Sequence, residues 1–360
     1  MKENIQIRPL EAADRAAALE LFNHSAEKGE AIYSPLSKQQ FEHDFFRPGM
    51  VAFVAQAGEE VVGFVHGTQL TQFLPKQTHE NTPGYISCVF VKDGHRRHGI
   101  GKALVQRLEK HFLDQGKATM VCSDQNPLQL SWRIPGTPGH DHNKAPGAEE
   151  SSAGYAFLKA LGYEPRYREV AMYRDLKDYS FPDNTAQRQA ELAKEGVYTG
   201  RYDASLNYDF DGMCDRVGSE YWRNVLKTET VAWQLGLPNA DESLWVDGKK
   251  PAGPRPILVA THEDKIVGFT GPVDLQRSGR GWFTGICVDP LYGRRGIGDV
   301  LFQLLMQEFV DEGATFSTLF TGTENHAQRI YERAGLYVVA HFAVMSKPLV
   351  KDASYSGTHF

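Results

Sequence analysis

The chain is poor in cysteine, in basic charge and in long apolar runs, and each shortage narrows what it can be. Its four cysteines, Cys88, Cys122, Cys214 and Cys287, never fall in a CxxC spacing. No zinc framework is visible, and Cys88 and Cys287 lie in apolar strand-like segments, which predicts reduced, structural thiols. Apolar residues make up 41% of the 360 positions, yet no run is long enough to span a bilayer. The opening Met1-Lys2-Glu3-Asn4 has no greasy stretch either, so a soluble, cytoplasmic chain without a signal peptide or membrane partner is expected. Lys and Arg number 39 against 45 Asp and Glu, a net charge of −6. Phosphate neutralisation on nucleic acid demands a basic surface, so that partner class is set aside, and the acidic balance favours cationic substrates.

What the chain does have is a motif that occurs twice. Val89-Phe90-Val91 leads through a polar turn into Arg96-Arg97-His98-Gly99-Ile100-Gly101-Lys102, and Ile286-Cys287-Val288 leads into Gly293-Arg294-Arg295-Gly296-Ile297-Gly298-Asp299. Beyond each loop, Leu104, Leu108 and Phe112, and Leu301, Leu305 and Phe309, repeat at helical spacing, which predicts one face of a buried helix. A Gly-rich turn entering a helix start offers converging N–H groups and a positive dipole end, a setting suited to phosphate. Two phosphate loops fail on spacing. A Walker A loop needs Gly-Lys-Ser/Thr, but Gly99 is followed by Ile100 and Gly298 by Asp299. A dinucleotide fingerprint needs a third glycine where Leu104 and Leu301 stand.

The loop resembles that of the GNAT acyl-CoA N-acyltransferase superfamily, Arg/Gln-x-x-Gly-x-Gly/Ala after a Val-x-Val strand. Arg96 to Gly101 matches every defined position, whereas the second copy has Gly293 where Arg or Gln is usual. The resemblance extends outward. Each motif is preceded by a predicted hairpin, Val51–Ala55 with Val61–Val65 and Ile257–Ala260 with Ile266–Phe269. Asn325-His326-Ala327 through Tyr331 to Gly335-Leu336 resembles the superfamily's second signature, and Ala156-Phe157-Leu158 to Gly162-Tyr163 is its weaker counterpart. Val170–Tyr173 and Ala343–Met345 read as closing strands. The resemblance implies an α/β (α+β) fold with two GNAT domains in tandem, each a mixed, mostly antiparallel twisted sheet flanked by helices. The expected division is 1–175, a linker over 176–190, 191–350 and a tail over 351–360, since 175–185 is polar and contains Pro182.

The same resemblance implies acetyl-CoA as cofactor and an amine, small-molecule or protein-borne, as acceptor. Backbone groups of Val91, and of Ile286 and Val288, would meet the pantetheine and thioester, with Val288 aiding the developing oxyanion. Arg96, Arg97, His98, Gly99, Ile100, Gly101 and Lys102, and Arg294, Arg295, Gly296, Ile297, Gly298 and Asp299, would hold the pyrophosphate, chiefly through main-chain N–H. Asp299 puts a negative charge beside the second loop where Lys102 puts a positive one beside the first. Tyr331, four residues before Gly335 and preceded by Asn325, stands where the superfamily commonly carries the acid that protonates the CoA thiolate; Leu158 holds that place in the first copy. The base is not identified. Trp282–Gly285 holds no carboxylate, and Asp274, Asp289, Glu324 and the carboxylate of Phe360 are the groups to consider.

The segment from Asp124 to Ala153, rich in Pro, Gly, His and Asn, has no counterpart in the second repeat. Trp132, Arg133, His140, Asp141 and His142 would line a substrate pocket there, or the segment is a solvated loop over the first cleft. His140 and His142 lack a firm third metal ligand, so no metal site is assigned. Trp222, Trp233 and Trp282 read as core more readily than as pocket walls. The expected function is N-acetyl transfer from acetyl-CoA, with chemistry in the C-terminal half. An enzyme active in its N-terminal half, or a noncatalytic acyl-CoA sensor, are the competing readings. Acceptor and oligomeric state are open.

Overall fold

The structure, a computed structural model, describes residues 5–73, 76–137, 139–206, 208–236, 254–276, 278–351 and 353. They form two compact units: one runs from the N-terminus to Val170 and adds a C-terminal segment beginning at Ala340, and the other is Ala171–Val339.

The first unit begins with β1 (Ile5–Pro9), α1 (Arg15–Glu27) and α2 (Lys38–Asp44), the last capped by Ser37, whose hydroxyl accepts from the Gln40 N–H at 3.1 Å. It continues with β2 (Met50–Ala57), β3 (Glu60–Gln69), β4 (Gly84–Val91), α3 (Ile100–Asp114), β5 (Thr119–Cys122), three short strands β6 (Trp132–Arg133), β7 (Asp141–His142) and β8 (Ala148–Glu149), α4 (Ala153–Ala160) and β9 (Glu164–Asp175). β1 to β4 pair antiparallel in order, and β4 and β5 are parallel. The apolar stripe of α3 does what its spacing predicts: Leu104, Leu108 and Phe112 are fully buried against Phe53, Val65 and Ile86.

The second unit holds α5 (Asp183–Lys194), β10 (Val197–Arg201), α6 (Asp211–Val217), α7 (Glu220–Leu235), β11 (Leu258–His262), β12 (Lys265–Thr270), β13 (Asp274–Leu275), β14 (Arg280–Trp282), β15 (Ile286–Val288), α8 (Ile297–Asp311), β16 (Phe316–Gly322) and α9 (Gln328–Arg333), and then β17 (Tyr337–Pro348). β10, β11, β12 and β15 form one antiparallel ribbon, while β14 pairs with β13 and, in parallel, with β16. Leu301, Leu305 and Phe309 of α8 are buried as their counterparts on α3 are. The expected hairpins are β2–β3 and β11–β12. All four cysteines are free thiols. Among the described residues no helix is long and apolar enough to cross a membrane.

Two expectations change. The stretch read as a linker over 176–190 contains the first two turns of α5, which packs on β10 and α8. The closing strands do not end their own repeats. From Ala340 onward β17 belongs to the first unit, where Met345 pairs with Cys122 and Phe342 with Glu149, while the last residues of β9 belong to the second unit. An apolar alternation fixes which face of a strand is buried, but it does not choose between two equivalent sheet edges. A division at 175 would therefore strip the first unit of Phe342, Ala343, Val344 and Met345, each at most 1% exposed. Burying the three larger side chains is worth roughly 6 kcal/mol together, comparable with the whole stability of a small domain. A chain of residues 1–175 alone is expected to lack a cooperative thermal transition; a sharp transition in it would make the exchanged strand dispensable.

Candidate functional site

Each unit has a strand that leaves its parallel neighbour just before the Gly-rich loop. In the first, β4 touches β5 only through Gly84↔Met120 and Tyr85↔Val121. Ser87 is then an extra residue, since His66 pairs with Cys88 and Gly67 with Ile86; such a bulge bends the strand away. In the second, β14 pairs with β16 through Trp282↔Thr318, the strand is interrupted around Gly285, and among the described residues β15 pairs with β12 alone. Gly285 has φ +144°, and a side chain there would drive into the Trp222 indole, 2.1 Å from a Cβ. Its carbonyl accepts from the Thr270 hydroxyl at 2.8 Å. The outcome in both units is a gap between diverging strands.

Backbone groups point into these gaps. Asp289 N–H donates to the Val267 carbonyl at 2.9 Å, so in the alternating antiparallel ladder Ile286 and Val288 turn their N–H and C=O away from β12. Lys92 and Val62 make the same bond at 2.8 Å, which turns Val89 and Val91 outward in the first unit. There, however, the Val91 carbonyl is already held by Arg96 Nε at 2.8 Å.

The loops share a conformation that few side chains adopt. Arg97 (φ +67°) and Arg294 (φ +62°) are left-handed non-glycine residues, and Gly99 and Gly296, both near +80°, are the N-caps of α3 and α8. The first-turn N–H groups of each helix lack intrahelical acceptors, as in an anion cradle. Ile100 and Ile297 are buried, so they can offer a ligand only their main chain. Gly101 lies against Phe157 and Val91, and Gly298 against Ile330 and Val288, which aligns the two units residue for residue. His98, Arg97 and Lys102 are exposed on the first loop, as are Arg294 and Arg295 on the second.

The charges differ in detail from the reading of the motif. Arg96 points inward as a brace, bonding Glu30 at 2.7 Å and Asp93 at 3.2 Å as well as Val91. Gly293 cannot do this, and the corresponding corner is held instead by Asp289. Its fully buried carboxylate takes both Nε and Nη2 of Arg216 and caps the Leu291 N–H at 3.0 Å. Arg216 keeps the Asp289 carboxyl below its usual range, which makes it a weaker proton acceptor than a free carboxylate. Asp299 is not left facing the loop alone, because Arg333 Nε of α9 pairs with it at 2.5 Å. Asn325 Oδ1 accepts from the Ala327 N–H at 2.9 Å, shaping the turn into α9. Of the other carboxylates considered, Asp274 pairs with Arg255 at 2.5 Å, Glu324 is exposed, and Phe360 lies outside the described residues.

Tyr331 is 4% exposed, its ring against Phe283 at 5.5 Å and Phe302 at 4.9 Å, beside the stretch between β14 and β15. Burial pushes its phenol well above the ordinary range, and its hydroxyl has no hydrogen-bond partner among the described residues. In the first unit Leu158 occupies this place, packed in the same core as Ile86 and Val105. The first gap is also filled. Asn126 donates to Ser87 Oγ at 3.1 Å and to the Ile86 carbonyl at 3.3 Å, and accepts from Thr68 and from the Leu128 N–H. A cavity of about 30 Å³ remains beside it, lined by Tyr33, Ser87, Cys122 and Lys144 among others. That is room for one or two waters.

The inserted segment is therefore folded rather than a solvated cover. Trp132 is buried, bonds the Lys144 carbonyl at 2.8 Å and stacks on His142, while Arg133 donates to the Ala26 carbonyl. Ser34, Arg133, His140 and Asp141 line a separate open pocket of about 500 Å³. Among the described residues no three His, Cys, Asp or Glu side chains are placed to share a metal. Trp222 and Trp233 are half-buried, the first against Gly285 and the second bonded to the Arg255 carbonyl at 2.5 Å, and Trp282 stacks under Arg280. Motif reading missed Asn126, Arg216 and Glu169. Burial, and next the charge of Asp124, raise the Glu169 carboxyl to about 7, with Lys144 opposing. Glycine at 293 was the one sign that some other group braces the second corner.

A diverging pair of strands beside a helix headed by a left-handed Gly-rich turn, present twice, defines a tandem α/β protein of the acyltransferase type. The acetyltransferase (GNAT) family model matches residues 17–130 and 221–336, and the chain belongs to that family. Members of the family generally use acetyl-CoA. In fold, the chain is similar to a GCN5-related glucosamine N-acetyltransferase region of a fungal multi-domain GH3 β-N-acetylglucosaminidase. The TM-score is 0.62 at 15% identity, over 96% of this chain, which spans 38% of that one. It is also similar to a GCN5-related N-acetyltransferase from Sphaerobacter thermophilus, with a TM-score of 0.56, 16% identity and 98% of both chains covered. At such identities the likeness is one of fold. No curated protein matches the sequence.

Proposed function

We propose that the protein transfers an acetyl group from acetyl-CoA to a primary amine in its C-terminal unit, and that the N-terminal unit is not catalytic. The observation that carries this reading is the asymmetry at one position: Tyr331, whose ring packs on Phe283 at the strand break and whose hydroxyl makes no hydrogen bond among the described residues, against Leu158 at the equivalent place. The loop donors around Gly296 and the outward backbone of Ile286 and Val288 suit a cofactor with a pyrophosphate and a long amide-bearing arm. Acetyl-CoA supplies the acyl group as a thioester. The amine nitrogen forms its bond to the carbonyl carbon while the Val288 N–H stabilises the oxygen that gains charge. The carbon–sulfur bond breaks, the phenol of Tyr331 gives its proton to sulfur, and the surplus proton on nitrogen passes to water. Tyr331 is reprotonated from solvent. A carboxylate base is not needed in this scheme, and Asp289 and Asp274 are engaged by arginines.

The test is release of CoA thiol from acetyl-CoA with a panel of amines, including glucosamine, the acceptor named for the fungal neighbour, together with calorimetry. Gly298→Glu is expected to abolish turnover and one equivalent of CoA uptake, and Gly101→Glu to leave turnover intact. Turnover lost only in Gly101→Glu would move chemistry to the first unit. CoA uptake without turnover of any amine would favour a sensor.

A further inference from the structure

We infer that Arg188, carried on α5 outside the motif, is a ligand for a phosphate group of the CoA moiety in the C-terminal unit. The inference rests on the proposed cofactor site and adds a residue to it. A Cβ built on Gly296, the N-cap of α8, would come within 2.9 Å of Arg188 Nε and 3.5 Å of its Cγ. The guanidinium thus lies directly against the turn whose free N–H groups form the anion cradle. Among the described residues no side chain takes this place in the first unit, where a Cβ on Gly99 would meet no atom within 4 Å.

The charge around the second loop gives Arg188 a task. Gly293 replaces the basic or amide side chain usual in the motif, and Asp299 adds a carboxylate in the first turn of α8. Arg333 answers Asp299, and Arg295 is drawn toward Glu195 at 3.5 Å and toward the Tyr292 ring. Arg188 is held in place by Glu191 through Nη1 at 2.8 Å, with its side chain 47% exposed. Among the described residues that is its one hydrogen bond, which engages one nitrogen of a five-donor fork and leaves the others for phosphate oxygens. An arginine fixed by packing of its stem against Gly296 and by one carboxylate is also preorganised, so little entropy is lost on binding. Either the pyrophosphate or the 3′-phosphate presents the same oxygen chemistry.

The experiment is calorimetry on the full chain carrying Gly101→Glu, comparing Arg188→Gln and Arg188→Lys with the parent for CoA, 3′-dephospho-CoA and pantetheine at low and high salt. Thermal melts monitor folding. Arg188→Gln is expected to weaken CoA about tenfold and to flatten its salt dependence, leave pantetheine unchanged, and be partly rescued in Arg188→Lys. A loss shared by dephospho-CoA assigns the contact to the pyrophosphate; a loss confined to CoA assigns it to the 3′-phosphate. Unchanged CoA affinity and salt dependence, or an equal loss for pantetheine, overturns the role of Arg188. If the parent has no CoA uptake that Gly298→Glu removes, the cofactor reading itself falls, and this inference with it.

Discussion

Tyr331→Phe is expected to lower kcat about a hundredfold while leaving acetyl-CoA affinity and thermal stability close to those of the wild type. The ring supplies the packing, between Phe283 and Phe302, and the substitution keeps it. The oxygen makes no hydrogen bond among the described residues, so its removal breaks no internal contact and should change stability by less than about 1 kcal/mol. What is lost is the proton that the departing sulfur needs. Burial raises the phenol's pKa, so it stays protonated through neutral and mildly alkaline pH, and activity should not decline there through its ionisation. Steady-state kinetics from pH 6 to 9.5 on both proteins checks this. Full activity in Tyr331→Phe would remove the residue from the chemistry.

A second large effect is expected at the corner that sets β15 against its loop. Arg216→Met leaves the Asp289 carboxylate, with no exposed side-chain surface, without its cation. Stranding a buried charge destabilises by about 3 kcal/mol. The pH dependence follows from the direction of the native shift. Arg216 holds Asp289 below its ordinary value, so the pair stabilises the fold above the unfolded pKa of about 4, and that contribution fades as pH falls through the folded one. In the variant the stranded carboxyl takes up a proton more readily, so the deficit should be largest near pH 7 and shrink toward pH 4. Urea melts at both values measure it. A deficit independent of pH would show that packing of the Arg216 stem, not its charge, holds the corner. Because Val288 precedes Asp289, cofactor affinity should weaken in step.

The repeat was legible because its signals are local. A left-handed turn needs glycine at 99 and 296, a helix needs its apolar stripe, and both survive in any sheet. Tyr331 became a candidate through its distance from Gly335, and it is the buried residue of α9. What escaped depends on long-range choices. Arg188 and Arg216 serve the second loop from elements far away in sequence and carry no motif. Asn126 reads as an ordinary loop residue until its amide meets Ser87 and Ile86. The start of α5 was misplaced because the polar residues around Pro182 read as linker as far as 190, and the partner of β17 was hidden by the equivalence of the β5 and β16 edges.

That pairing of β17 with β5 also sets a timetable for synthesis. Cys122 emerges from the ribosome long before its partner Met345. The first unit must therefore wait, with an unsatisfied strand edge, until all of the second unit and the segment after Ala340 have been made. Domains usually fold in order as they emerge, and unpaired edges invite aggregation while they last. Here the first unit should complete its fold only after the second has been synthesised, so nascent chains stalled before Ala340 should lean on chaperones more heavily than chains extended past β17.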